Sequence, residues 1–168
     1  MTGTQRIFGP PRLAAEKMRE MIWEELGFTV NVGISSNKLL AKMAGDLEKP
    51  NKVHTLFPEE METKMWPLPV RELFLVGRAT EKKLKGLGIY TIGDLANTEL
   101  SVLKKRLGKH GETIWHYANG RNAEMVTPEP EENKGYGNST TTPEDVVTPE
   151  HAYQVILRLC ETVAMRMR

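Results

Sequence analysis

Three lysines with little acidic compensation occupy the stretch SSNKLLAKMAGDLEKPN, residues 35–51. On a helix turning about 100° per residue, Lys38, Lys42 and Lys49 fall within roughly 40° of one another, opposite the leucines and methionines. No glutamate lies four residues ahead of these lysines, and Asp46 follows Lys42 in the weaker order for an ion pair. Such a row of ammonium groups can hold a phosphate as a point charge. A solvated helix face explains the same pattern, so both interpretations stay open from the spacing alone.

A second candidate site lies in LFLVGRATEKKLKGLGI, which has the form of a helix-hairpin-helix. A short helix is predicted to end near Leu73. A second helix is predicted to begin at Ala79 or Thr80, with Gly77 allowing the turn between them. The free N–H groups at that helix start suit a DNA phosphate, and the lysines beyond add non-specific attraction. This interpretation assigns DNA contacts to Gly77, Arg78, Ala79, Thr80, Lys82 and Lys83.

The stretch LKKRLGKHGETIW repeats this arrangement, with Gly108 and Gly111 flanking Lys109 and His110. Two lysine-rich hairpins in tandem would hold a duplex by its backbone without contacting the bases. Residues 66–120 carry nine basic against five acidic residues, whereas the whole chain has a net charge of +1. A basic middle segment of this kind favours a polyanionic partner. The histidines show no metal-ligand spacing and are interpreted as surface or packing residues.

The elements that must position these residues are predicted to form an α+β chain. The first part of the chain is predicted to form a partial α/β layer. Its elements are, in order, a helix from Pro10 to Leu26, a strand over residues 28–34, a helix from Ser36 to Glu48, a strand KVHTLF and a helix from Pro58. Ser35 or Ser36 is the predicted cap of the second helix. Short helices fill residues 66–120, a Pro/Glu-rich connection follows, and the chain closes with a strand GYGNSTTT and a helix capped by Thr148.

The composition limits the class of protein. Hydrophobic residues make up 39% of the 168 residues, which is enough for a core, and no window reaches the length of a membrane span. Cys160 is the only cysteine. The sequence therefore excludes a disulfide framework and a cysteine-rich zinc site, and it indicates a reducing, intracellular compartment. No secretory leader is recognisable.

Three motifs in this order resemble the Y-family (translesion) DNA polymerases: GISSNKLLAKMAGDLEKPN, VGRATEKKLKGLGIYTIGDLA and LGKHGETIWHYANGR. The resemblance is greatest to the DinB or polymerase IV type, with the UmuC/ImpB/MucB/SamB proteins as neighbours. It implies that residues 1–65 are the C-terminal part of the palm and residues 66–120 the thumb with its tandem helix-hairpin-helix motifs. Residues 121–134 would be the tether, and residues 135–168 the beginning of the little finger.

The resemblance also implies residue roles. Lys49, which precedes Pro-Asn in the first motif, would contact the triphosphate of the incoming nucleotide, and Lys42 and Asp46 would order its surroundings. Backbone groups around Gly77 and Ala79 would bind primer-strand phosphates. The remaining implied DNA contacts are Ser139 and Thr140, at the template backbone. Leu75 departs from the family pattern, because it stands where the first glycine of the hairpin is usual.

The resemblance further implies a reaction that these residues do not complete. Y-family phosphoryl transfer uses Mg²⁺ held by three carboxylates. The only aspartates are Asp46, Asp94 and Asp145, and they are not spaced as a metal cage. We therefore expect no catalytic residue, no metal site and no primer extension from this chain, whose parent would be a cytoplasmic, nucleoid-associated bacterial enzyme.

The expected partners are primer–template DNA and, for the parent, an incoming dNTP. Any contact with a sliding clamp would lie beyond Arg168. The apolar stripe of the last helix predicts docking on a second chain or back on the thumb. Two other functions fit parts of the sequence. A stand-alone, non-enzymatic helix-hairpin-helix adaptor remains an alternative, whereas a helix-hairpin-helix glycosylase does not account for the strands before residue 57.

Overall fold

The structure is a computed structural model, and it describes residues 5–122, 126 and 135–167. The chain divides into two compact units, Met1–Val126 and Thr127–Arg168. The first unit contains, in chain order, α1 (Gln5–Phe8), α2 (Pro11–Leu26), β1 (Val32–Ile34), α3 (Lys38–Asp46), β2 (Val53–Thr55), α4 (Met61–Lys64), α5 (Arg78–Lys85), α6 (Ile92–Asn97), α7 (Leu100–Leu107) and α8 (Lys109–Ala118), with 3₁₀ turns at Pro58–Glu60 and Val70–Glu72. The second unit contains α9 (Pro149–Arg166).

A small parallel sheet of two strands forms the base of the first unit. Val32 lies opposite Val53 in the register, and α3 provides the crossover between β1 and β2. The predicted order of helix, strand, helix, strand and helix is confirmed. The predicted strand over residues 28–34 is too long, because only its last three residues have a partner in the short β2, and Phe28 is 65% exposed.

The helix that carries the lysines is shorter than predicted at both ends. Asn37, not Ser35 or Ser36, is the N-cap, and its side chain accepts a hydrogen bond from the backbone N–H of Leu40 at 2.8 Å. The Asn37 amide also donates to the Gly120 carbonyl at 3.0 Å, a tertiary contact that fixes the cap. Because α3 ends at Asp46, Lys49 lies in the following loop and not on the helix.

The hydrophobic core of the first unit is continuous from α3 to α8, so the predicted palm and thumb segments share it. The helix α6 begins with a reciprocal cap, since the Thr91 hydroxyl accepts from the Asp94 N–H and the Asp94 carboxylate accepts from the Thr91 N–H. The buried side chains with the largest volumes are Leu40, Leu56, Met65, Leu73, Leu84, Ile92, Leu95, Leu103, Ile114 and Val70.

The second unit contains the predicted final helix. The Thr148 hydroxyl accepts a hydrogen bond from the His151 N–H at 3.2 Å, and Pro149 occupies the first turn, as predicted. The predicted strand GYGNSTTT is wrong, because residues 135–142 are irregular and the described part of this unit holds no strand to pair with them. Most of the predicted connection over residues 121–134 lies outside the described residues. Within the described ranges, no helix combines the length and apolar character needed to cross a membrane.

Candidate phosphate-binding sites

Two of the three predicted lysines meet at a single carboxylate. The ammonium of Lys42 lies 3.0 Å from Asp46, and the ammonium of Lys49 lies 2.7 Å from the other oxygen of the same side chain. Hydrogen bonds from Lys49 and then Lys42 hold the pKa of the Asp46 carboxyl below its ordinary value, against the smaller opposing effect of burial. Lys38 joins no ion pair in the part of the chain that the structure describes. We name residues 42–52, which are the last turn of α3 and the loop that follows it, the lysine loop.

The side chain of Asn31 holds the backbone of the lysine loop in place through hydrogen bonds. Its amide nitrogen donates to the carbonyls of Gly45 at 3.0 Å and Glu48 at 2.9 Å, and its oxygen accepts from the Lys52 N–H at 3.1 Å. The strand β1 approaches α3 so closely that a Cβ on Gly33 would overlap the Ala41 carbonyl. These contacts fix the loop backbone independently of the two ion pairs.

The loop backbone beyond the lysines is also held in a defined conformation. The Lys49–Pro50 peptide is cis, and Asn51 has a φ of 59°. The guanidinium of Arg19 donates to the Asn51 carbonyl at 3.2 Å, which ties the end of the lysine loop to α2. Lys52 is paired with Glu48 at 3.6 Å, so it adds no free charge beside Lys49.

The turn before α5 differs from the prediction in its conformation. Leu75 has a φ of 72°, in the left-handed region, whereas Gly77 is extended with a φ of −86°. A Cβ on Gly77 would meet nothing within 4 Å, so the turn does not require glycine there. The helix starts at Arg78, one or two residues earlier than predicted, because Gly77 serves as its N-cap.

The starts of α5 and α8 lie close together. Neither helix has a side-chain cap, since the N-cap residue of each is a glycine, Gly77 or Gly108. Thr80 Oγ1 and His110 Nε2 are 3.4 Å apart, which brings the two first turns together. We name these two first turns, residues 77–80 and 108–111, the paired helix starts. The Gly111 N–H donates to the Gly108 carbonyl at 3.1 Å, and the other backbone N–H groups, with the positive dipole ends, form a surface suited to anions.

Close packing supports the second of these turns. A Cβ on Gly111 would lie 2.5 Å from the Leu103 carbonyl oxygen, so glycine is needed for α8 to pack against α7. Gly108 has a φ of 62° and a ψ of −143°, a backbone conformation that side chains other than hydrogen rarely allow. The two glycines of this turn therefore have separate structural roles.

The lysines beside the paired helix starts differ in their ion pairs. Lys85 is paired with Glu81 at 2.9 Å, and Lys104 with Glu112 at 2.8 Å. Each lysine lowers the pKa of its glutamate through a hydrogen bond. Lys82 and Lys83 join no ion pair among the residues that the structure describes. Their charges are therefore available to a partner.

The remaining predicted contacts belong to the second unit. Ser139 and Thr140 are exposed residues of the second unit, in an irregular stretch. Sequence reasoning did not find Asn31, because its polar side chain fits the polar and apolar alternation of a half-buried strand and so gave no separate signal. The described residues contain no group of three or more His, Cys, Asp or Glu side chains that could hold a metal.

Comparisons with known proteins match both regions of the first unit. A family model described as "DNA polymerase-iota, thumb domain" matches residues 71–122, and one described as "impB/mucB/samB family" matches residues 1–46. The first match contains the paired helix starts, and the second contains α3 with Lys42 and Asp46. These matches show the class to which the chain is related, the Y-family of DNA polymerases.

Comparisons with individual relatives show which type of Y-family protein this chain resembles. The chain is 46% identical over 154 residues to DNA polymerase IV of Clostridium acetobutylicum, covering 92% of this chain and 39% of that protein. It is 40% identical over 173 residues to DNA polymerase IV 2 of Bacillus subtilis, covering all of this chain and 42% of the relative. The crystal structure of DinB from Sulfolobus solfataricus matches with a TM-score of 0.61 at 28% identity, over 73% of this chain and 37% of that one.

The chain belongs to the DinB-like Y-family polymerases. It spans about two fifths of the length of the curated relatives it matches. The resemblance inferred from the three sequence motifs is thereby confirmed.

Proposed function

We propose that this chain is the part of a translesion DNA polymerase that holds the phosphate backbone of primer–template DNA and the triphosphate of an incoming nucleotide. The observation that carries the proposal is the pair of uncapped helix starts beside Lys82 and Lys83, within the segment that matches a polymerase thumb. Backbone N–H groups and unpaired lysines together recognise phosphates without reading the bases.

The paired helix starts are the proposed contact with the DNA backbone. Gly77, Arg78, Ala79 and Thr80 would supply the first turn, and Gly108, Lys109 and Gly111 the second. The contact at 3.4 Å between Thr80 and His110 supports a single surface for both turns. In this proposal residues 66–120 are the thumb, built from tandem helix-hairpin-helix motifs.

The lysine loop is the proposed contact with the triphosphate. Lys49 and Lys42 place two ammonium groups on one side of a loop whose backbone is fixed by Asn31. Ammonium groups bind phosphate oxygens as point charges. Residues 1–65 would be the C-terminal part of the palm in this scheme.

The second unit has a proposed role as well. Residues 121–134 would be a tether and residues 135–168 the beginning of a little finger, with Ser139 and Thr140 against the template backbone. Bacterial relatives support work in the cytoplasm on the nucleoid. A sliding clamp and a second copy of the chain, held through α9, are further proposed partners of the longer protein.

Nucleotidyl transfer by the longer protein would use Mg²⁺. The residues described in this chain do not fit a magnesium cage, since Asp46 is bound by two lysines and Asp94 caps α6. We therefore derive no catalytic step from them, and we expect the 168-residue chain alone to bind a primer–template without extending the primer.

The test is a salt titration of the chain's affinity for a fluorescent primer–template duplex. Lys82→Gln/Lys83→Gln should bind about tenfold more weakly at low salt, and its slope of log K against log salt should be smaller by about 1.8, since each phosphate contact contributes about 0.9. The control is Arg12→Gln/Lys17→Gln, which removes the same net charge from two exposed positions of α2, one of them (Arg12) paired with Glu16 at 3.2 Å.

The control separates a specific surface from overall charge. Equal weakening by both double variants would show that the duplex senses only net charge, and the proposed surface would then be wrong. The stand-alone adaptor predicts the same binding by the helix starts. It leaves the match of residues 1–46 to the impB/mucB/samB family without a role, so we favour the polymerase.

A further inference from the structure

The carboxylate of Asp46 occupies the position at which the lysine loop would receive a phosphate. Its two oxygens lie 3.0 Å from the Lys42 ammonium and 2.7 Å from the Lys49 ammonium, distances typical of charge-assisted hydrogen bonds. Two phosphate oxygens bridging the same lysines would need the same donors. The loop therefore already holds an anion that belongs to its own chain.

The exposure of the three side chains leaves both ammonium groups accessible from solvent. Lys42 and Lys49 are 55% and 61% exposed, and Asp46 is 37% exposed, so an incoming phosphate can reach both ammonium groups from solvent. Within residues 5–122, the two lysines are the only hydrogen-bond partners of the Asp46 carboxylate. Releasing them leaves the loop backbone in place, because Asn31 holds the Gly45 and Glu48 carbonyls.

We propose that Asp46 is a built-in competitor that lowers the affinity of the lysine loop for polyphosphate. The inference rests on the proposed function, in which Lys42 and Lys49 hold the triphosphate. Asp46 reduces the charge of the three-residue cluster from two positive charges to one, and a ligand must break both ion pairs to take the two ammonium groups together. Binding to this loop is therefore an exchange of a carboxylate for a phosphate.

The exchange has a consequence for ligand choice. Either a single phosphate or a chain of phosphates can replace both ion pairs, but the chain carries more negative charge and therefore gains more from the same displacement. Asp46 would thus keep the site closed to weakly held anions and open to a triphosphate. The affinity for duplex DNA, whose binding we assign to the paired helix starts, should not depend on this carboxylate.

The test is a titration of the isotope-labelled chain with inorganic tripolyphosphate, followed by the backbone amide NMR signals of residues 41–49. Asp46→Asn should bind tripolyphosphate about fivefold more tightly than the unmodified chain, because it removes the negative charge that competes with the ligand for the two lysines. The gain is modest because the ion pairs are exposed to solvent. Asp46→Ser should behave in the same way. Circular dichroism shows whether each variant is folded.

Two controls accompany these variants. Glu48→Gln changes the net charge equally, but Glu48 contacts Lys52 at 3.6 Å and neither of the two lysines, so its affinity should stay within about twofold of the unmodified chain. Lys49→Gln should lose tripolyphosphate binding. Titrations with orthophosphate and with a duplex distinguish a polyphosphate site from a general anion or DNA site.

The outcomes separate the inference from the function on which it rests. Tripolyphosphate binding that Lys49→Gln abolishes, but that the folded Asp46 variants leave unchanged or weaken, would overturn the competitor role alone. An absence of tripolyphosphate binding by the unmodified chain and by both Asp46 variants would overturn the triphosphate site, and the inference with it. An equal gain in Glu48→Gln would reduce the effect to net charge and would also contradict the inference.

Discussion

The lysine loop and the paired helix starts use the same residue type in opposite electrostatic states. In the loop, Lys42 and Lys49 share the Asp46 carboxylate. Beside the helix starts, Lys82 and Lys83 have no ion pair among the described residues, whereas Lys85 and Lys104 do. In the first region one of the two positive charges is neutralised before any ligand arrives, whereas the second region presents uncompensated charge.

The difference suits the two proposed ligands. A duplex backbone is a continuous polyanion that is attracted over a distance by free charges, and its binding weakens as salt rises. A triphosphate is a small ligand that must be held at one place. A loop with a fixed backbone and paired side chains positions such a ligand, although its net positive charge attracts anions less strongly. The two regions also differ in how their backbones are supported, and three sets of variants test this.

The largest expected effect concerns the support of the lysine loop. In Gly33→Ala the new Cβ would overlap the Ala41 carbonyl and lie 2.5 Å from the Gly45 nitrogen, both of which are backbone atoms of α3. We expect the free energy of unfolding to fall by about 3 kcal/mol or more, because neither atom can move without shifting the helix. Urea denaturation followed by circular dichroism measures this change.

The matched control lies on the facing side of the same contact. Gly45→Ala places its Cβ 3.5 Å from the Gly33 nitrogen, an ordinary van der Waals contact, and adds helix propensity. Its free energy of unfolding should change by no more than about 1 kcal/mol, in the stabilising direction. A similar loss in both variants would show that the close approach of β1 and α3 does not support the loop.

A smaller effect is expected in the backbone of the paired helix starts. Gly108→Ala adds a Cβ that meets no atom within 4 Å, but at a φ of 62° and a ψ of −143°. We expect a loss of about 1–3 kcal/mol in the free energy of unfolding from backbone strain alone. Thermal denaturation of Gly108→Ala measures this loss, with Gly77→Ala as the control. Because Gly77 is extended, its replacement by alanine should change the free energy of unfolding by no more than about 0.5 kcal/mol.

The converse substitution tests the other turn. Leu75→Gly removes a side chain that is 47% exposed from a residue with a φ of 72°. Relief of the left-handed strain outweighs the added freedom of the unfolded chain, so the melting temperature should rise slightly. A fall in melting temperature would mean that the packing of Leu75 stabilises the turn by more than its conformation costs.

The smallest effect is the pH dependence of stability from Asp46. Its pKa is lowered in the folded chain by Lys49 and Lys42, so its contribution is present above the unfolded pKa and is lost as the pH falls through the lower folded value. The free energy of unfolding of Asp46→Asn should therefore fall less steeply below about pH 4 than that of the unmodified chain. The pairs are solvent-exposed, so added salt should reduce the difference.

Asp94 provides the comparison for this experiment. Its pKa is lowered by hydrogen bonds from the Thr91 and Tyr90 N–H groups, with no cation involved. Asp94→Asn should flatten the same acid limb, but with less sensitivity to salt, since backbone donors in direct contact are screened less than exposed ion pairs. Equal salt dependence in the two variants would contradict the assignment of Asp46 to an ion-pair cluster.

Local signals in the sequence were enough for the family and for the presence of the longer helices, but not for α1 or for the bounds of α3. The caps of α9 at Thr148 and of α2 at Gly27 depend on residues next to each other in the chain, so they were predictable. The order of the three motifs was likewise a property of the sequence alone. The strand lengths were not, because a strand extends only as far as its neighbour can pair with it.

The details of both candidate sites were decided by the tertiary structure. The sequence supplied the lysines, but α3 ends at Asp46 and the loop turns back, which brings Lys49 and Lys42 to one carboxylate. Asn37 became the cap because Gly120, far along the chain, fixes its amide. Thr80 and His110 likewise come within 3.4 Å of each other through tertiary packing. Spacing determines which residues share one helix, whereas a loop that bends, or two helices that pack, bring residues together at distances that no local period encodes.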